Sequence, residues 1–143
     1  MIKELLQPDS SGVVYDIRRD TVGVEKMRNA SLSDGPWGLA TNHGIIGSDA
    51  WWSALETGQI KIETFVGVIR VIAGGMKGDT LEVHIEAAGE KQRWVAWRGF
   101  DATLDGKKVC IRYVQMHPKK PFPSRPNFLV PVLLQVELKN GNE

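Results

Sequence analysis

The second half of the chain alternates between apolar and polar residues over short stretches, which is the pattern of half-buried β-strands. The clearest stretch is 80–87, where Leu81, Val83, Ile85 and Ala87 would share one face of a strand. Four further stretches of this kind are also predicted as strands: 60–73, 92–98, 108–116 and 127–138. Gly-, Asp- and Pro-containing turns separate them, so this half of the chain is predicted to be a run of short strands.

One short helix is predicted before these strands. Ser48 is a favourable N-cap residue, because its hydroxyl can accept a hydrogen bond from an N–H of the first turn. Gly58 lies where a left-handed cap would end the helix. Between them Trp51 and Leu55 are four residues apart and therefore face the same side. The predicted helix covers about 49–57 and is too short to be stable alone, so its tryptophans must pack on the strands.

The strand pattern is typical of a small β-barrel, since short strands joined by tight turns must bury one face against each other. It resembles both the OB-fold and the SH3-like barrel, and the choice between them stays open. A long first strand with Gly67 near its middle favours the OB-like form, whereas the short connection after the third strand argues against it. We therefore predict a mainly β protein with a five-stranded barrel domain at 59–143 and an irregular N-terminal extension at 1–58, which carries the helix and packs on the barrel.

The extension contains one more candidate strand. Val13, Tyr15 and Ile17 occupy alternate positions, which indicates a short strand. We expect this strand to form a hairpin with residues 22–24. No family motif covers this segment or the rest of the chain.

Composition narrows the function classes. The 143 residues are 42% hydrophobic and 24% charged, which is typical of an ordinary globular protein and excludes wholesale disorder. The net charge of +1 predicts no strong overall attraction to nucleic acid or to a membrane. We find no secretory signal and no apolar run long enough to span a bilayer, and Cys110 is most simply a small buried hydrophobe. The expectation is a cytoplasmic protein with no membrane partner.

No spacing of residues predicts a catalytic centre or a metal site. Zinc sites use closely spaced His and Cys pairs, and the sequence contains none. Glu82, His84 and Glu86 would share one strand face and could hold a cation or form the site of an enzyme of unknown reaction. The simpler interpretation is a solvated strand face. We therefore expect no cofactor and no metal, nominate no catalytic residue, and favour a protein without catalysis, although the question of enzyme activity stays open.

The distribution of charge leads to the main hypothesis. Residues 91–125 contain nine basic and two acidic residues, a net charge of +7, whereas residues 1–58 carry a net charge of −3. Aromatic residues are interleaved with these cations, and one of Trp94 and Trp97 should face outward on its strand. Exposed aromatics beside cations hold single-stranded nucleic acid, because bases stack on the rings while the cations follow the phosphates. The predicted ligand-binding residues are Arg93, Trp94, Trp97, Arg98, Arg112, Tyr113, Lys119 and Lys120.

The tryptophans near the helix suggest a different partner. Trp37, Trp51 and Trp52 all lie in the segment 37–52. They either seal an open end of the barrel or form a surface for a partner protein or a second copy of the chain, since Trp is enriched at interface hot spots. The main hypothesis is thus a non-catalytic binding module of otherwise unknown function that binds single-stranded nucleic acid. A protein-protein interaction module or homodimer using 37–52 is the alternative.

Overall fold

The computed structural model describes residues 6–8, 12–35, 37–74 and 80–139. Its elements are β1 (Val13–Asp16), α1 (Thr21–Leu32), α2 (Asp49–Glu56), β2 (Ile62–Gly74), β3 (Thr80–Ala87), β4 (Glu90–Val95), a 3-10 turn (Ala102–Leu104), β5 (Lys108–Met116) and β6 (Val130–Leu138). Within the described ranges the strands form one antiparallel sheet in the order β1-β6-β5-β2-β3-β4. The prediction of a mainly β protein is confirmed, and the described residues form six strands in the sheet and two helices.

β2 is the longest strand, and it changes partner halfway along its length. Residues 62–68 pair with β5, and residues 68–74 pair with β3. Gly67 lies at this change of partner, where an added β-carbon would be 2.6 Å from the carbonyl oxygen of Glu86 on β3. Gly67, near the middle of this long strand, is therefore a point where two backbones approach too closely for a side chain.

Closure of the sheet into an OB-like or SH3-like barrel is not confirmed. In the described part of the chain β1 and β4 are the two edge strands, and no ladder of hydrogen bonds joins them. Side chains bridge the two edges instead. Trp97, just after β4, packs against Tyr15 of β1 with ring centroids 6.4 Å apart, and Arg98 Nε lies 3.3 Å from Asp20 Oδ1. The sheet is open, but it curves enough to bring its edges into side-chain contact.

The N-terminal segment is more regular than predicted. The expected strand around Val13 is present, but its partner is β6 and not residues 22–24. Those residues lie in α1, which begins after the N-cap Asp20, whose Oδ1 accepts a hydrogen bond from Gly23 N at 3.0 Å. The sequence did not predict α1, because two valines and a glycine in its first turns have low helix propensity. The division into an extension at 1–58 and a domain at 59–143 stays a prediction, and β1 lies in the same sheet as the later strands.

α2 is the helix predicted at 49–57, and its tryptophans pack against the core. Ser48 Oγ accepts a hydrogen bond from Trp51 N at 3.2 Å, and Gly58 follows the helix with a φ of 80°. Trp51 is fully buried, and its Nε1 donates to Met116 Sδ at 3.4 Å. Trp52 is half-buried and packs edge to face on Trp51 with centroids 4.8 Å apart.

A buried polar network joins the N-terminal segment to the sheet. Gln135 of β6 is fully buried. Its Nε2 donates to Gln7 O at 2.9 Å and to Asp16 Oδ2 at 3.1 Å. Its Oε1 accepts from Gln7 N at 3.0 Å and from Arg112 Nη1 at 3.2 Å. Both amide hydrogens and both oxygen lone pairs of Gln135 are therefore used.

The network also determines the charge state of Asp16. Burial disfavours the carboxylate, but hydrogen bonds from the side chain and the backbone of Arg18 and from Gln135 outweigh the burial. The pKa of Asp16 is therefore lower than its ordinary value of 3.8. The aspartate stays ionised within the fold and keeps its acceptor oxygens available to both partners.

We expect Gly67→Ala to lower the free energy of unfolding by about 1–3 kcal/mol, because the new methyl group must push β3 away from β2. Urea unfolding measures this change. Gly35→Ala is a matched control, since its nearest neighbour is Ser33 Oγ at 3.7 Å, and it should change stability by less than about 0.5 kcal/mol. Equal effects of the two substitutions would show that β2 and β3 do not depend on the glycine.

Asp16 should make the stability depend on pH on the acid side. Its folded pKa is depressed, so the carboxylate contributes stability that is present above the unfolded pKa and is lost as the pH falls through the folded pKa. Urea unfolding between about pH 6 and about pH 2 should therefore show that acidification lowers the free energy of unfolding less for Asp16→Asn than for the wild type. The exposed Asp34→Asn should follow the wild type. An acid-side loss in Asp16→Asn as large as in the wild type would contradict this role.

Candidate functional site

The cations among the eight predicted ligand residues do not form one open basic surface. Three of them lie beside a carboxylate: Arg93 by Glu82 at 3.1 Å, Arg98 by Asp20 at 3.3 Å, and Arg112 by Glu137 at 3.1 Å. Lys119 is held by α1, since its Nζ donates to the carbonyl oxygens of Ala30 and Ser33 at 2.8 and 2.7 Å. Lys120 is exposed. Much of the local net charge of +7 is thus compensated by residues from other strands and loops.

The aromatic residues predicted for base stacking are not available as an exposed platform. Trp97 is only 8% exposed, and Trp94 is half-buried. Trp94 packs edge to face on Tyr113 with centroids 5.4 Å apart, and the two residues share Gln92, which accepts from Trp94 Nε1 and donates to Tyr113 Oη. The expectation of one outward tryptophan is wrong because β4 ends at Val95, so the alternation does not extend to Trp97.

Glu82, His84 and Glu86 each have a partner in the sheet. His84 is buried, and its Nε2 lies 3.2 Å from Glu82 Oε1. Glu86 pairs with Arg70 at 3.5 Å. Hydrogen bonds from His84 and then from Arg93 lower the pKa of Glu82. In the described ranges no group of three His, Cys, Asp or Glu side chains is placed to hold a metal ion, and no helix is long and apolar enough to cross a membrane.

A partly exposed aromatic surface is present elsewhere, between α1 and the Pro-rich loop that precedes β6. It surrounds a cavity of about 400 Å³, which we call the aromatic groove. Its aromatic residues are Trp37, Phe122 and Phe128, and its other apolar side chains are Met27, Ala30, Leu39, Pro118 and Val130. Its volume lies within the range of ligand pockets, roughly 300–1,000 Å³.

The three aromatic rings of the groove contact one another in sequence. Trp37 is 69% exposed and lies edge to face on Phe122, with centroids 6.1 Å apart. Phe122 stacks on Phe128 at 5.4 Å. The guanidinium of Arg125 lies over Phe128, 4.4 Å from the ring centroid, in a cation–π contact. The ring series therefore has the exposed Trp37 at one end and a cation at the other, over Phe128.

Backbone contacts hold the segment of Trp37 against α1. Gly38 has a φ of 121°, and a β-carbon there would be 2.6 Å from the backbone of Ser31. Leu39 N donates to Ser31 Oγ at 2.9 Å, and that hydroxyl donates to Met27 O at 2.7 Å. A glycine and a serine thus let the two segments meet without leaving a buried polar group unpaired.

The other wall of the groove is held in a similar way. Lys119 N donates to Gly38 O, and Ala40 N donates to His117 O, both at 2.9 Å. Together with the Lys119 side chain on the end of α1, these bonds fix the start of the Pro-rich loop. Phe122 and Phe128 were not predicted as site residues, because the ring series reaches Trp37 only through this pairing of segments far apart in the chain.

The chain was compared with models of known protein families. The model of the family described as Immunity protein RhsI2 matches residues 12–120, which include both helices and β1 to β5. No protein among the curated sequences matches the chain. The matched range contains Trp37 and ends before Phe122.

The match corrects the main hypothesis from the sequence. An immunity protein acts on another protein, so the prediction of a module of unknown function that binds single-stranded nucleic acid is wrong. The alternative of a protein-protein interaction module is the better-supported one. Of its three tryptophans, Trp37 is exposed, whereas Trp51 and Trp52 pack against the core. That the eight predicted residues contact a ligand stays a prediction.

Trp37 and Trp51 should respond differently to truncation. Trp51→Ala removes a fully buried ring and should lower the free energy of unfolding by about 3–5 kcal/mol. Trp37→Ala removes a mostly exposed ring and should cost less than about 1 kcal/mol. Urea unfolding of both variants tests this. If Trp37→Ala were as destabilising as Trp51→Ala, Trp37 would belong to the core and not to a binding surface.

Proposed function

Because the chain belongs to the family of Immunity protein RhsI2, we propose that it neutralises a cognate Rhs toxin by binding to it. The family match over residues 12–120 carries this proposal. Neutralisation by binding needs a stable surface of matching shape and no catalytic group. The proposed activity is therefore consistent with a site made of packed aromatic rings and not of titratable side chains.

We place the toxin interface at the aromatic groove. Interface hot spots are enriched in Trp and Arg, and both are present where Trp37 and Arg125 flank the ring cluster. The groove is also held in place on both walls, so little conformational entropy is lost when a partner binds. Lys119 and Lys120 follow Pro118 in the same loop, and we propose that they flank this interface. The cytoplasmic location expected from the sequence remains a further proposal.

Co-expression with a panel of Rhs toxin domains tests the proposal. One toxin of the panel should cease to inhibit growth when the chain is present, and the two proteins should then elute as a complex from a sizing column. Failure to protect against any toxin, or protection without a complex, would argue against neutralisation by binding.

Trp37→Ala should weaken toxin binding at least about tenfold, as loss of a hot-spot ring does. Leu81→Ala is a matched control, because Leu81 is an exposed apolar residue on β3, 45% accessible, outside the groove lining. Titration of labelled toxin with each variant measures the dissociation constants. If Leu81→Ala weakened binding and Trp37→Ala did not, the interface would lie on the sheet and not at the groove.

A further inference from the structure

We propose that the aromatic groove receives an acidic segment of the toxin. In this arrangement an apolar side chain of the segment packs among Trp37, Phe122 and Phe128, and neighbouring carboxylates contact the cations around the groove. The inference rests on the proposed function and adds the chemistry of the partner surface, which the family match does not specify.

The charged residues at the groove carry the first part of the argument. Lys26 lines the cavity, and no acidic residue does so among the described residues. Arg125 covers Phe128, and Lys119 and Lys120 follow Pro118 at the start of the loop. The ammonium of Lys119 is held by carbonyl oxygens of α1, so those hydrogen bonds leave its positive charge in place.

The arginines elsewhere in the basic stretch 91–125 differ from the cations at the groove, because they are paired with carboxylates. Arg93, Arg98 and Arg112 each lie within 3.3 Å of a carboxylate oxygen, so their charges are compensated inside the chain. Of the six other cations in this stretch, three belong to the loop that borders the groove: Lys119, Lys120 and Arg125. A cleft with low-dielectric apolar walls focuses the potential of such cations and attracts the opposite charge. Complementary charge also favours rapid association and excludes partners of the same sign.

The shape of the groove indicates how the acidic segment would be anchored. A cavity of about 400 Å³ has room for a large apolar side chain, and apolar groups make up most of its lining. Charges alone would bind weakly at such a surface, because exposed ion pairs contribute little. The apolar anchor would supply most of the binding free energy, and the flanking carboxylates would supply selectivity.

A second copy of the chain fits the same groove less well. A two-fold dimer through this surface would bring Lys26 and Arg125 of one chain close to the same residues of the other. Like charges placed together at an interface are unfavourable. Sizing of the chain alone at several concentrations should therefore show a monomer. A dimer that Trp37→Ala dissociates would overturn the inference.

Two short peptides that share their apolar residues and carry either Glu or Lys at every polar position test the charge preference without the toxin. Fluorescence anisotropy of each labelled peptide should give a dissociation constant at least about tenfold lower for the Glu peptide at low salt. The difference should shrink as salt rises, because exposed charges are screened. Equal binding, tighter binding of the Lys peptide, or binding of neither would overturn the inference.

Charge reversal locates the effect on the chain. Lys26→Glu combined with Arg125→Glu should weaken binding of the Glu peptide at least about tenfold. Trp37→Ala should remove binding of both peptides. The control is Lys61→Glu, an exposed lysine before β2 and outside the groove lining, which should bind as the wild type does. Urea unfolding of each variant confirms that it is folded. No change on reversing Lys26 and Arg125 would overturn the inference.

The same variants in the toxin assay separate the two proposals. One outcome is that a toxin is neutralised while its binding is insensitive to both salt and charge reversal. In that case the inference of an acidic segment is wrong and the proposed function stands. If no toxin is bound and the Glu peptide still binds at the groove as described, the proposed function is wrong and the chemistry of the groove stands.

Discussion

The buried side-chain amide of Gln135 is the contact on which the N-terminal part of the fold depends. A buried amide that lacks partners costs about 1–3 kcal/mol per unmet group, so its four hydrogen bonds admit few alternative arrangements. Gln135 reaches the backbone of Gln7, the carboxylate of Asp16 and the guanidinium of Arg112 at once. A shift of β1 by one residue along β6 would turn Asp16 to the other face and leave the amide unpaired. The network therefore specifies the register of β1.

The position of β1 in turn determines where the groove can form. Asp16 accepts a hydrogen bond from Arg18 N, which turns the chain after the strand, and Asp20 then caps α1. The other end of α1 supplies Ser31 and the carbonyl oxygens that hold Lys119. One continuous series of contacts thus extends from the buried amide to both walls of the groove. These contacts of the neighbouring segments, and not burial of its own ring, position Trp37.

Local sequence patterns predicted the elements whose signals are local. Ser48 and Gly58 mark α2 because capping depends on a few adjacent residues. The alternation along β6 predicted the strand but not the burial of Gln135, since the segment that covers this residue is more than a hundred positions away. α1 was missed because tertiary contacts stabilise a helix with weak propensity. Barrel closure depends on which edges meet, and alternation within strands does not specify that.

The net charge of a stretch of sequence does not give the charge of a surface, because carboxylates from other parts of the chain can pair with its cations. The count of +7 over residues 91–125 is correct, but Glu82, Asp20 and Glu137, which pair with its arginines, all lie outside that range. Cations and aromatics in one stretch suit either nucleic acid or protein, and geometry distinguishes the two. A strand of nucleic acid needs open ring faces in line with unpaired cations. Here the rings of the basic strands are buried or half-buried and the arginines beside them are paired with carboxylates, whereas the exposed ring of Trp37 borders a concave apolar cavity. Such a cavity can take a side chain more readily than it can follow a phosphate backbone, and this makes a protein segment the occupant that the geometry favours.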